Sequence, residues 1–263
     1  PVIKNLYSAM SGALAQERNL AIIANNLANM NTAGFKEDTV TFEMIEPEPY
    51  KHYNNPLPPA NYRINLDDIL PLRGNEASYV ALSKVTKDFS QGPVIQTENP
   101  LDLMLEGDGF LTVQTVDGTR YTRAGSLTVN GSGVLVTKEG DPVIGEKGNI
   151  FLRDNDFEVN RIGEIYQNGE LVDRLLVKDF VDVKQLSKVG SNYFFWQGRE
   201  EDVVSVAFPT IRQGFVEGSN VNPIRNLTNM IVAHRSYEAY QKAIKNFDSM
   251  MDRSSNAIGE LRG

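Results

Sequence analysis

The chain has 263 residues, 41% of them hydrophobic, enough to bury one large core or two ordinary ones, and this excludes a wholly disordered protein. A formal net charge of -8, with no run of Lys or Arg, excludes a protein that tracks nucleic-acid phosphates. With 0 cysteines there is no disulfide framework, thiolate zinc site or cysteine nucleophile, and an oxidising compartment is permitted.

The first stretch, residues 2–36, reads VIKNLYSAMSGALAQERNLAIIANNLANMNTAGFK and predicts a long amphipathic helix. Ile3, Leu6, Met10, Ala13, Leu20, Ala24 and Leu27 follow a three-four spacing interrupted at Glu17, and Tyr7, Leu14 and Ala21 widen the stripe. Asn31, Thr32 and Gly34 supply turn formers, Gly34 being placed to take the left-handed conformation that closes a helix. The N-terminus lacks the basic region, continuous apolar core and cleavage site of a secretory signal.

Residues 36–81 form a connecting region. Phe35, Val40, Phe42, Met44 and Ile45 give an extended run, after which Pro47, Pro49, Pro56, Pro58 and Pro59 exclude a regular helix or a central strand. With Tyr50, Tyr53 and Tyr62 interleaved, the segment is either a flexible linker or a loop moulded onto a neighbour. His52 stands there without a second metal ligand.

From residue 82 to 215 the period is two, with recurrent Gly and Asn-Gly punctuation, which predicts an antiparallel all-β domain. Residues 103–105, 110–115, 120–123, 126–129 and 134–137 read as strands. Asn168-Gly169 is the clearest two-residue hairpin, because both its central positions need positive φ. Val177, Phe180, Val183, Leu186 and the run Tyr193, Phe194, Phe195, Trp196 are expected to add core, the single Trp packing there.

Residues 216–263 predict a second long helix. Asn222 is placed to cap its first turn, and Pro223 occupies the position where a missing N–H costs nothing. Met230, Ala233, Tyr237, Tyr240, Ile244, Phe247, Met251, Ile258 and Leu261 fall on a heptad seam whose one polar member is Ser254. The fold expected is therefore α+β, with the N- and C-terminal helices paired as an α-helical coiled coil around a central antiparallel all-β domain. A lone helical hairpin leaves the widened faces open to water, so self-association through unlike faces is one outcome, and its usual product is a filament. Packing of both helices on the β domain is the other.

Chemistry-bearing motifs fail on inspection. Residues 140–147, GDPVIGEK, have Glu146 where a phosphate loop needs Lys, and are expected to form a turn. Asp154, Asp156 and Glu158 alternate like calcium ligands, but Val159 replaces the required Gly. Gly107-Asp108-Gly109 leads into a strand instead of a helix, and there is no G-x-S-x-G elbow. His234 reads as a helix-face residue packed against a partner, with no nucleophile beside it. A carboxylate-pair glycosidase or an adhesin on the β scaffold remains open, though nothing singles out a pair.

Three blocks carry a family resemblance. Residues 5–36, above all ANNLAN-x-NT-x-GFK at 24–36, residues 101–145 and residues 214–251, including EGSNVN, closely resemble the N-terminal, central and C-terminal blocks of the bacterial flagellar basal-body rod and hook family. PVIGEKGNIFL with the strand-turn-strand that follows looks more like the proximal-rod FlgF type, and the insert after Met44 compares with the distal-rod FlgG type.

This resemblance implies a structural subunit of the drive shaft that transmits torque, with no catalytic activity, cofactor, nucleic acid or small-molecule substrate. It implies export through the flagellar type III apparatus without a cleaved signal peptide, and a place in the basal-body rod within the periplasmic space. The implied partners are copies of the chain and other rod subunits. Carried onto this sequence, the implied assembly residues are Ile3, Leu6, Met10, Leu14, Leu20, Ala24, Asn25, Asn26, Leu27, Asn29, Asn31, Gly34, Phe35, Met230, Tyr237, Tyr240, Ile244, Phe247 and Met251. The Asn residues are expected to bond backbone or neighbouring subunits.

Overall fold

A computed structural model describes residues 2–45, 79–153, 157–190 and 192–260. The Pro- and Tyr-rich segment with His52, Asp154 and Asp156 of the calcium-like run, and Leu261 lie outside the described residues. So do the side chains of Ile3, Met44, Ile45, Ser254 and Ile258. The chain is α+β: helix α1 spans Val2–Ala28, helix α2 spans Pro223–Glu260, and the described residues between them are antiparallel strands and turns. Among the described residues, one compact unit draws on 2–24, 40–45, 79–85 and 227–260, the other on 25–39, 86–153, 157–190 and 192–226.

The second unit is built on a six-stranded sheet in the order Leu186–Val189, Tyr193–Trp196, Gly118–Thr122, Phe110–Thr115, Val177–Phe180, Val203–Ser205. Every pairing in it is antiparallel. Phe110–Thr115 is buried over its first four residues because both its faces are covered. Leu111 and Val113 enter an aliphatic core with Leu103, Leu135, Ile150, Ile165 and Val177, while Phe110 enters an aromatic core with Phe180, Leu186, Phe194 and Trp196. Ring pairs such as Phe110 with Phe180, 5.6 Å between centroids and near edge-on, shape the second core.

Trp196 is buried as expected, and its indole N–H donates to the Arg199 carbonyl at 2.9 Å. Phe195 is not core. Successive side chains of a strand point to opposite faces, so Phe194 and Trp196 turn inward while Phe195, 42% exposed, lies under the Arg120 guanidinium at 4.9 Å.

The Asn168-Gly169 hairpin forms between Glu164–Gln167 and Glu170–Arg174, with φ of 53° and 82° at its two central residues. A Cβ at Gly169 would meet nothing within 4 Å, so Gly169→Ala tests conformation alone. It is expected to cost about 1 kcal/mol in urea unfolding of the full chain. Residues 140–149 form a turn and the two-residue pairing Ile144–Gly145 with Gly148–Asn149, not a phosphate loop.

Helix α2 starts as its sequence predicts, the Arg225 N–H donating to Asn222 Oδ1 at 3.1 Å. Helix α1 ends at Ala28, and Asn29 to Gly34 continue as turns, the Thr32 N–H bonding the Asn29 carbonyl at 3.1 Å. Gly34 takes φ of 71°. Neither helix is long and apolar enough to cross a membrane, among the described residues.

Candidate assembly surface and its polar junction

Along α1, the buried positions are Ala9, Gly12, Ala13, Ala15, Ile23 and Asn26, with Leu6, Leu20 and Leu27 half-buried. A methyl group added at Gly12 would lie 2.5 Å from Cε1 and Cζ of Tyr240, so the ring of α2 occupies the space that glycine leaves. Tyr7, Met10 and Leu14 are at least half exposed, and Ala24 is exposed too. The hydrophobic stripe read from the sequence is therefore rotated. Small residues let the ring of a neighbouring helix approach, and the bulky ones face water.

On α2, Ala233 is buried, and Met230, Tyr237, Tyr240, Ile244 and Phe247 are half-buried on one side, with Met251 more exposed. A second apolar stripe, Ile224, Leu227 and Ile231, is 78%, 51% and 55% exposed. His234 is exposed, its Nδ1 3.7 Å from Glu238 Oε1.

Between the helix ends lies a network of buried charge. Lys36, 2% exposed, donates from Nζ to the Ser90 carbonyl at 2.7 Å, the Phe89 carbonyl at 3.2 Å and Glu217 Oε1 at 2.6 Å. All three ammonium protons thus find an oxygen. Glu217 Oε1 also accepts from the Gly92 N–H at 2.8 Å, and Oε2 lies 3.5 Å from Arg123 Nη1. Burial lowers the pKa of both Lys36 and Arg123, opposed by the Glu217 charge.

A second carboxylate reaches α2. Glu37 accepts from Arg225 Nη2 at 2.5 Å and Asn226 Nδ2 at 2.9 Å, and its backbone N–H donates to Asn220 Oδ1 at 2.8 Å. The Asn220 amide donates to the carbonyls of Asp88 and Ser90 at 2.8 and 3.1 Å. The Ser90 N–H and hydroxyl hold the Asp88 carboxyl below its ordinary range, so that its contribution is lost as acid protonates it. Asn26, in the last turn of α1, exchanges two bonds with Asp38, at 2.8 and 3.0 Å. Asp38 pairs with Lys87 at 2.9 Å, and Lys188 lies 3.8 Å above the Phe35 ring.

Of the Asn residues named from the sequence, Asn26 spends its amide inside the chain, and Asn29 donates to the Asn25 carbonyl at 2.9 Å. Asn25 and Asn31 are exposed, Asn31 on the rim of a recess of about 410 Å³. Gly34 and Phe35 are buried. Lys36, Glu37, Arg123, Glu217, Asn220 and Asn226 were not singled out. The one local signal for them is the presence of charge directly beside a left-handed glycine and beside the helix entry.

No group of three or more metal-ligating side chains occurs among the described residues. Charge is consumed in cross-bracing at this junction, and exposed apolar side chains stand on both helices and on the β region, Val116, Val181 and Phe208 among the latter. Residues 6–36 match the family described as flagella basal body rod protein, residues 104–167 the flagellar hook protein FlgE/F/G D1 domain, and residues 212–257 the flagellar basal body rod FlgEFG protein C-terminal family.

The flagellar basal-body rod protein FlgF of Caulobacter vibrioides is 30% identical over 97% of this chain and 98% of its own length. FlgG of Borreliella burgdorferi is 31% identical over 97% and 98%. The flagellar hook-basal body complex protein FlhO of Bacillus subtilis is 28% identical over 99% and 100%. The chain belongs to the flagellar basal-body rod protein family and is a structural component of the basal body, not an enzyme.

Proposed function

We propose that this chain is a proximal-rod subunit that builds a helical tube with copies of itself and neighbouring rod proteins through its paired terminal helices. The tube transmits torque across the periplasmic space, and its subunits arrive through the flagellar type III export apparatus. The observation that carries this reading is the seating of Tyr240 at Gly12. From Gly12 to Asn26 is the same 14-residue step as from Asn226 back to Tyr240, and Asn26 and Asn226 bond the adjacent residues Asp38 and Glu37.

That equality is what two antiparallel helices in fixed register require. With Gly12 opposite Tyr240, the buried Ala9 falls opposite the half-buried Ala243, and the buried Ile23 opposite Asn229, one position from the half-buried Met230. Such a coiled coil leaves Tyr7, Met10 and Leu14 on α1 and Ile224, Leu227 and Ile231 on α2 for neighbouring subunits. Each is worth on the order of 1.5–3 kcal/mol when buried. Asn25, Asn29 and Asn31 then face the neighbours at the helix end, while Asn26, Gly34 and Phe35 support them from inside.

Gly12→Leu is expected to block assembly, since the added side chain collides with the Tyr240 ring. A cell lacking the gene should not swim when supplied with Gly12→Leu, and adding Tyr240→Ala should restore at least part of the motility. Full swimming with Gly12→Leu alone overturns the pairing.

The proximal position draws support from the PVIGEKGNIFL segment and from the FlgF-named relative. Relatives named FlgG, the one from Borreliella burgdorferi at 31% identity, favour a distal position as the second reading. Electron cryotomography of cells lacking the gene distinguishes the two: a proximal subunit's loss leaves no rod beyond the base, and a distal subunit's loss leaves a longer stub.

A further inference from the structure

We infer that the polar junction is a latch: residues 25–39, 86–96 and 214–226 close and open as one cooperative unit, separately from the two apolar cores. The argument rests on what holds each region. The aliphatic and aromatic cores draw their buried members from residues 103–211, and none of residues 25–39 or 214–226 belongs to either. Within the three junction segments, Phe89 alone packs against a core. What binds these segments to one another is backbone pairing and buried charge, with Phe35, Val216 and Val221 as their buried apolar side chains outside both clusters.

The Gly34 N–H bonds the Glu217 carbonyl at 2.8 Å, the Asp88 N–H the Glu37 carbonyl at 2.9 Å, and the Gly218 N–H the Pro93 carbonyl at 2.8 Å. The side chains of Lys36, Glu217, Glu37 and Asn220 complete the closure. Buried ion pairs specify geometry more than they add stability, because desolvation offsets most of the attraction. A region held this way opens at a lower free energy than a packed apolar core. It also opens all at once, since losing Glu217 leaves Lys36 and Arg123 as uncompensated buried cations.

The latch grips both helix ends within one unit. Asn26 belongs to the last turn of α1, and Arg225 and Asn226 to the first turn of α2, so one opening releases both. This follows from the chain's own contacts and stands whether its place in the rod is proximal or distal.

Native-state amide exchange of the full-length monomer at rising sub-denaturing urea tests it. The Gly34, Asp88 and Gly218 amides are expected to share one urea-dependent opening and to exchange at least tenfold faster than Leu135, Val143 and Leu175 of the aliphatic core. In Glu217→Gln, the junction amides should accelerate at least a further tenfold, with the core amides changed less than twofold. Junction and core amides with one common rate and urea dependence in the wild-type chain overturn the latch. So does equal acceleration of both sets in the variant, and the wild-type measurement decides alone if the variant does not fold.

Discussion

Lys36→Met is expected to destabilise the junction by about 3–5 kcal/mol, more than any single core methyl deletion in this chain, because it leaves the buried Glu217 carboxylate with the Gly92 N–H and, as its remaining cation, Arg123 at 3.5 Å. The readout is loss of exchange protection at the Gly34 and Gly218 amides. Fluorescence of Trp196 does not serve here, since that side chain sits in the aromatic core. The triple variant Lys36→Met, Arg123→Met, Glu217→Leu removes every charge of the triad and fills its space with apolar groups. It is expected to recover more than half of the loss. A triple variant less stable than Lys36→Met would show that the charges themselves hold the segments together.

Gly34→Ala is expected to be the most damaging single-methyl change in the N-terminal block. Gly34 has φ of 71°, and an added Cβ would lie 2.4 Å from the Ala124 nitrogen and 2.5 Å from the Arg123 carbonyl carbon, both backbone atoms that no rotamer change can move. The left-handed backbone costs an L side chain about 1–2 kcal/mol, and forced displacement of the packed chain about 1–3 more. Exchange protection at Asp88 and Gly218 should fall with that of residue 34, and motility should be lost. A variant with unaltered junction protection would show that the turn can re-form elsewhere.

The contrast between these two sites explains what the sequence reveals and what it hides. The strand at Phe110–Thr115, the Asn168-Gly169 hairpin and the Asn222-Pro223 helix start are legible because each signal is local: alternation, a dipeptide needing positive φ, a cap beside a proline. Gly34 belongs with them, since its left-handed turn is readable from its neighbours. Lys36 does not. Its partner Glu217 lies 181 residues away, and nothing near either residue announces the other.

The inward side of α1 is illegible for a different reason. Hydrophobicity points Met10 and Leu14 inward, but contact distance favours Gly12 and Ala13, because the Tyr240 ring fills the space where a larger side chain would stand. Phe195 errs by one residue of strand alternation, a distinction that an unbroken aromatic run cannot carry. Within the single chain, Met10, Leu14 and Ala24 thus stand exposed while Leu6, Leu20 and Leu27 are half-buried, and the buried charges beside them carry no helical periodicity that would announce them.

The distance from Lys36 to Glu217 also fixes an order of events. A chain delivered N-terminus first presents α1 and Lys36 early, and both then wait for Glu217, Arg225 and Asn226. The strands of both cores precede Glu217 and can pair during that interval. In a chain made from its N-terminus, α1 therefore precedes both cores and is among the last parts to be fastened, and a subunit stalled before residue 217 cannot secure it.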